Sequence, residues 1–356
     1  MHLTQGLHRC VQLKPGAAAT VFGDRRRTWR EVRDRVARLA AGLVSLGLPR
    51  GGMVAPIALN SDRYIELYLA VWWAGGVIVP GNTRWALAEH IYALNDSGAS
   101  ILLVDKTFAG LAGPIREACG IAATLWLDDS PAPDGMVAVE DLIACSEPMD
   151  DACGHGDELA ALFYTGGTTG RSKGVMLSHR SLTSSALCST ATCPNGPDAV
   201  FLHSPPMFHL ADAAMIITMT LVGGVHVVVP GFSPPVVAEA IAREGVTDLV
   251  LVPTMFSMLG EYADGHAVDF ASVRQVTYGA SPISETLLRQ TMEMFPNAEF
   301  RQAYGQTELS PVATLLTPEF HQPAADRKSY LRSAGRALVG VDVRIVDEAM
   351  VTRPLG

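Results

Sequence analysis

The densest set of chemically capable residues lies between Tyr164 and Gly174, which reads Tyr-Thr-Gly-Gly-Thr-Thr-Gly-Arg-Ser-Lys-Gly. Four glycines and three threonines in eleven residues let a backbone turn tightly and aim N–H groups at an anion. The hydroxyls of Thr165, Thr168 and Thr169 add donors, and Lys173 adds a point charge. A Walker A loop is excluded, because Lys173 is followed by Gly174 where that motif needs Ser or Thr. The apolar run Leu-Ala-Ala-Leu-Phe precedes the segment, and a helix is expected to begin near Ser178-His179. A generic Gly/Thr run is a surface loop; the lysine and the preceding strand make this one an anion cradle.

Three further segments carry polar groups in suggestive places. Ala303-Tyr304-Gly305-Gln306-Thr307-Glu308 sets a carboxylate just beyond a Tyr-Gly turn, although alone it reads as a solvated loop. Gly279-Ala280-Ser281-Pro282 follows the strand-like Arg-Gln-Val-Thr-Tyr. Pro205-Pro206-Met207-Phe208-His209-Leu210 puts an aromatic–histidine pair ahead of an apolar helix, where His209 alone reads as a core histidine. His203 reads as structural.

Together these segments resemble the signature blocks of the adenylate-forming superfamily: acyl- and aryl-CoA ligases, luciferases and peptide-synthetase adenylation domains. Gly166 stands where Ser is frequent and Ser172 where Pro is frequent, but the lysine and paired threonines remain. Arg27–Val32, Tyr68–Trp85 and Ser333–Leu338 resemble weaker blocks, so the likeness covers nearly the whole chain. It implies that Thr165, Gly166, Gly167, Thr168, Thr169, Gly170 and Lys173 hold ATP phosphates. Gly279, Ala280 and Ser281 would line the adenine, Tyr304 would pack on it beside Gly305, Thr307 would touch the α-phosphate, and Glu308 would hold Mg²⁺. Phe208 and His209, with Tyr278 and Gly279, would border the acid; Met255 and Phe256 are further wall candidates. Catalytic roles would fall on Lys173, Thr307, Glu308 and His209.

The implied activity is ATP- and Mg²⁺-dependent conversion of a carboxylic acid to acyl-AMP, then transfer to CoA. The acid, aliphatic or aromatic, is not read from the sequence. Peptide-synthetase domains tend to place an Asp near His209 to pair with an amino group. Asp212 lies three residues beyond and out of that register, which favours a simple acid over an amino acid. The rival readings are an amino-acid adenylation domain and a truncated, non-catalytic nucleotide-binding module.

Positioning these residues takes alternating strands and helices. Thr28-Trp29-Arg30-Glu31 has the form of a capping box. Val32, Val36, Leu39, Leu43 and Leu46 follow at helical spacing, with Glu31/Arg35 and Asp34/Arg38 as i,i+4 pairs and Gly47 as the stop. Strands are expected at Met53–Leu59, Val77–Pro80 and Ile101–Asp105, with a helix from about Asp62 to Ala74. The second half repeats the alternation, which predicts an α/β fold of layered, parallel-rich sheets covered by helices on both faces. The Asp-, Pro- and Gly-rich stretch from Pro131 to His155 reads as a surface connection, and Val343–Asp347 as a strand.

The resemblance implies a large N-terminal ATP- and acyl-binding domain over residues 1–356. Its subdomains are expected at about 1–155 and 156–330, with a small β-rich subdomain starting at 331–356. The family's ribose-binding Asp block, hinge and small C-terminal domain with a catalytic lysine have no counterpart before Gly356, so the chain reads as cut.

A net charge of −9 opposes nonspecific nucleic-acid binding, which needs a basic surface. With 48% hydrophobic and 18% charged residues, the chain is expected to fold throughout. Six scattered cysteines without a Cys-x-x-Cys pair fit reduced cytoplasmic thiols. Ala213–Val229 falls short of a ~20-residue membrane span and is broken by Gly223-Gly224 and His226. It reads as buried helix, turn and buried strand. The expected partners are a small carboxylic acid, ATP and CoA, with the choice between monomer and homodimer open.

Overall fold

The structure is a computed structural model that describes residues 2–166, 171–322 and 330–354. Two sheets organise the chain. The first has seven strands, in the order Val137–Ala138, Ala123–Trp126, Ile101–Val104, Met53–Ile57, Val77–Ile78, Leu159–Thr165 and Lys173–Ser178. All neighbours are parallel except the last pair. The second has nine, in the order Arg336–Ala337, Val312–Leu316, Glu299–Gly305, Gln275–Gly279, Asp248–Leu251, Val200–His203, Val225–Val228, Ala18–Phe22 and Arg25–Thr28. Its five inner pairings, from Glu299–Gly305 to Ala18–Phe22, are parallel. The sheets interleave along the chain instead of parting near residue 155: the first strands join the second sheet, and residues 159–178 complete the first.

Central strands such as Ile101–Val104 are buried at every position, as parallel strands covered on both faces must be. Helices Trp29–Ser45 and Asp62–Trp73 lie in the largest core, which gathers Trp29, Val36, Leu43, Tyr68 and Trp72 with Ile101, Leu125 and Ile216. The predicted capping box forms: the Thr28 hydroxyl accepts from the Glu31 amide and the Glu31 carboxylate accepts from the Thr28 amide. Asp34 and Arg38 pair at 2.9 Å. The expected Glu31/Arg35 pair does not form, because the cap occupies Glu31 and Arg35 turns inward.

Arg35 makes paired hydrogen bonds to Glu66 (2.9 and 3.0 Å) and to Glu140 (2.9 and 2.7 Å). Arg63 reaches Glu140 and Asp129 at 2.6 Å each. Arg25 holds Asp62 and Asp129, and Arg27 holds Asp62 and Glu66. Four guanidiniums and four carboxylates thus balance, with Asp62 and Glu66 fully buried. Burial pushes the Glu140 carboxyl up, but Arg35 and Arg63 outweigh it and hold it down at about 2. Glu140 sits in Val139–Cys145, a helix whose Val139, Leu142 and Ile143 are buried. The 131–155 stretch is therefore no bare connection: it adds an edge strand, a packed helix and a charge partner, all of which need distant residues.

Helix Leu210–Val222 and strand Val225–Val228 take up the apolar Ala213–Val229 stretch as expected. No helix among the described residues is long and apolar enough to cross a membrane. His203 is structural: its Nδ1 lies 2.8 Å from Asp212 and its Nε2 2.9 Å from His226, all three fully buried. Val343–Asp347 is not a strand. Residues 345–353 fold back as a small hairpin with one Val346–Thr352 bridge, and Val343 and Ile345 are exposed and pair with no strand among the described residues.

His90 is fully buried and neither ring nitrogen has a hydrogen-bond partner among the described residues. Burial lowers its pKa to about 4, whereas an unfolded histidine titrates near ~6.5. Between those values the unfolded chain holds a proton that the folded one rejects, so acidification favours unfolding. The melting temperature should fall as pH drops from about 6.5 to about 4, and His90→Leu should flatten that slope. An equal slope in both proteins would remove His90 as a cause.

Candidate functional site

The Gly/Thr segment joins two antiparallel strands, with Thr165 opposite Lys173 and Tyr164 opposite Gly174. Gly167, Thr168, Thr169 and Gly170 lie outside the described residues. Helix His179–Thr192 begins where expected, capped by the Ser178 hydroxyl accepting from the Ser181 amide at 3.1 Å. Strand Lys173–Ser178 intervenes, so Lys173 stands at a strand start, six residues before the helix.

Glu299–Gly305 ends at a short 3-10 turn, Thr307–Leu309, which carries Glu308. The Thr165 hydroxyl donates to Glu308 Oε1 at 3.5 Å, joining segments 143 residues apart. Lys173, paired across the strands from Thr165, lies at the same end. Among the described residues neither Lys173 nor Glu308 has an ion-pair partner, and both are exposed.

Glycine is required at two strand ends here. A Cβ on Gly305 would run into the Pro311 carbonyl, and one on Gly279 into the Ala303 carbonyl. Gly305→Ala should therefore displace the turn bearing Glu308 and lower nucleotide affinity. A calorimetric titration with Mg-ATP checks this, and wild-type affinity in the variant would show that the turn tolerates the shift.

Gly279 and Ala303 are register partners at the carboxyl ends of adjacent parallel strands, where open α/β sheets place ligands. Ala280 follows with φ +63°, a left-handed backbone rare outside glycine. Two clefts meet at these residues, sharing Tyr278, Ala280, Ala303, Tyr304 and Gly305. One, of about 390 Å³, also meets Ser281, Gln302, Arg332 and Ser333. The other, of about 160 Å³, runs inward past Ala186, Met215, Thr218 and Gly279 and is mostly apolar. Tyr304 is 56% exposed at their junction.

Phe208 and His209 do not line either cleft. Phe208 is buried, with its ring 4.2 Å from that of His209. His209 precedes helix Leu210–Val222, from which Ala211 and Ala214 do reach the apolar cleft. The protein around His209, and then the Arg84 charge, lower its pKa. Met255 and Phe256 belong to the core under the second sheet. Sequence reasoning missed the lining from helix His179–Thr192 and missed Arg301. The arginine in an otherwise strand-like Glu-Phe-Arg-Gln-Ala-Tyr was the available signal.

A threonine–lysine strand end thus lies beside the exposed Glu308 carboxylate, and Tyr304 stands where an open, mostly apolar cleft meets a more polar one. The chain belongs to the AMP-binding enzyme family, which it matches over residues 7–356. The 2-succinylbenzoate–CoA ligase, chloroplastic/peroxisomal, of Arabidopsis thaliana is 31% identical over 91% of this chain and 60% of its own length. Feruloyl-CoA synthase of an Amycolatopsis species is 33% identical over 86% and 60%. The chain thus spans about 60% of these curated relatives. The inhibitor-bound N-terminal domain of FACL13 from Mycobacterium tuberculosis superposes with TM-score 0.86 at 26% identity, covering 99% of this chain and 86% of that one.

Proposed function

We propose that the chain binds ATP and a carboxylic acid and joins them as acyl-AMP, and that the whole protein passes the acyl group to the thiol of CoA. The meeting of Thr165 with Glu308 carries this reading, because it brings a hydroxyl donor, a lysine and a carboxylate from distant parts of the chain to one place. A carboxylate oxygen of the acid attacks the α-phosphorus, the bond to the bridging oxygen of the β-phosphate breaks, and pyrophosphate leaves. In this reading Lys173, Thr165 and Thr307 would stabilise the charge that grows on the phosphates. Glu308, a hard oxygen ligand without a cationic partner among the described residues, suits Mg²⁺, to be shared with phosphate oxygens. Bound there, the ion supplies charge neutralisation on the phosphates.

Tyr304 offers adenine a ring face, with Gly279, Ala280 and Ser281 beside it. The apolar cleft takes the body of the acid. The ligases for 2-succinylbenzoate and ferulate among the relatives fit an organic acid of this kind. An amino acid fits less well. Asp212 is fully buried on His203, burial raises its pKa, and it does not line the cleft, so it has no route to an ammonium group.

The test is exchange of labelled pyrophosphate into ATP with Mg²⁺ and a panel of aliphatic acids, aromatic acids and amino acids. Exchange that depends on a simple acid is expected. Exchange driven only by amino acids would transfer the assignment to the rival class, and absence of both exchange and ATP-induced thermal stabilisation would end it.

A further inference from the structure

Arg301 is 6% exposed, and its side chain lines the apolar cleft. Its Nε donates to the Thr277 hydroxyl at 2.6 Å and its Nη1 to the Cys193 carbonyl at 2.9 Å. Both acceptors are neutral. Among the described residues no carboxylate stands within ion-pair distance of it. Arg63 shows what a comparably buried arginine ordinarily has: at 5% exposure it holds both Glu140 and Asp129. A buried guanidinium without a counter-ion is costly unless something completes it.

Five N–H groups radiate from a guanidinium, and only two bonds are accounted for. Nη2 has no bond among the described residues, and Arg301 is part of the cleft wall. The cleft lining as a whole is mostly apolar, Met215, Val250 and Ala186 among it, with Ser189, Asn195 and Thr277 as polar members. Thus the pocket carries one uncompensated positive charge in a mostly apolar wall. Arg301 and Tyr304 lie three residues apart on one strand, which separates their backbones by roughly 10 Å.

We propose that Arg301 is a specificity-determining residue that receives a second, distal carboxylate, so that the preferred substrates are dicarboxylic acids with an apolar spacer. The inference rests on the acid-activating reading above. One carboxylate lies at the junction and reacts; the other meets the guanidinium in the paired geometry that favours Arg–carboxylate recognition. An acid with a methyl terminus leaves the arginine buried and unpaired, and is rejected on that account.

The experiment compares octanedioate with octanoate, and 4-carboxycinnamate with cinnamate, in pyrophosphate exchange and in thermal stabilisation of the chain with and without ATP. The diacid of each pair should be preferred by about 10²-fold in kcat/KM. Arg301→Met should reverse the order by raising KM for the diacid and lowering it for the monoacid, and Arg301→Lys should keep part of the preference. Equal or better use of octanoate by the wild type overturns the proposal, as does an unchanged preference in Arg301→Met. If Arg301→Met does not fold, as judged by circular dichroism, an unchanged preference in Arg301→Lys overturns it instead. Failure of every acid to support exchange counts against acid activation; the diacid–monoacid difference in thermal stabilisation without ATP still decides for or against Arg301.

Discussion

Glu308→Gln should reduce acid-dependent pyrophosphate exchange by about 10²–10³-fold, the usual effect of removing one preorganised electrostatic group. The carboxylate is exposed, and its contact among the described residues is the Thr165 hydroxyl at 3.5 Å, the far end of hydrogen-bond range. Glutamine keeps the shape and an acceptor oxygen, so the fold loses nothing it depends on. Only the negative charge goes, and with it the hold on a divalent cation proposed for this carboxylate. The melting temperature without nucleotide should therefore match wild type. A ligand at ~100 times its dissociation constant stabilises by ~2.7 kcal/mol, and the variant should lose most of that gain with Mg-ATP. A lowered melting temperature in the nucleotide-free variant, with Mg-ATP stabilisation intact, would instead make Glu308 a structural residue.

The largest stability effect is expected at Glu66. It is fully buried, and Arg35 and Arg27 reach it from one side of helix Asp62–Trp73. Replacing it with methionine removes one of four carboxylates and strands the guanidiniums, at a cost of about 3–5 kcal/mol. The urea midpoint should drop with little change in slope, since the surface exposed on unfolding hardly changes. Adding Arg35→Met restores the charge balance and fills the space with apolar volume, so the double variant should recover a substantial part of the loss. Costs that simply add in the double variant would mean that the two side chains act independently.

Which parts of this molecule were readable in advance follows the range of the interactions. Helix Trp29–Ser45 was legible because a capping box and an apolar stripe are local. The inward turn of Arg35 was not, because its partners Glu66 and Glu140 lie 31 and 105 residues away. Strand segments were visible as apolar runs, yet their order was hidden, since Ile101–Val104 and Asp248–Leu251 are short apolar runs that fall in different sheets. The phosphate-type turn, Tyr304 and Glu308 could be marked from residue type and family likeness. Their convergence is a property of the two sheets. Phe208 and His209 drew notice by chemistry, but the cleft wall is built by the helix that follows them. Val343–Asp347 had the alternation of a strand but joins no sheet among the described residues, which a one-dimensional pattern does not reveal.

The interleaving of the sheets has a consequence for biosynthesis. Thr20 pairs with His226, 206 residues further on. At ~5–20 residues per second of ribosomal elongation, the N-terminal hairpin waits about 10–40 s for its mate. Meanwhile the seven-stranded layer, whose strands all fall between Met53 and Ser178, has every partner it needs. The nascent chain should thus compact in its middle first and recruit its beginning later, once Val225–Val228 has emerged. Force-sensing stall sequences placed along the gene would record two separate pulling events, and a single event would contradict this order.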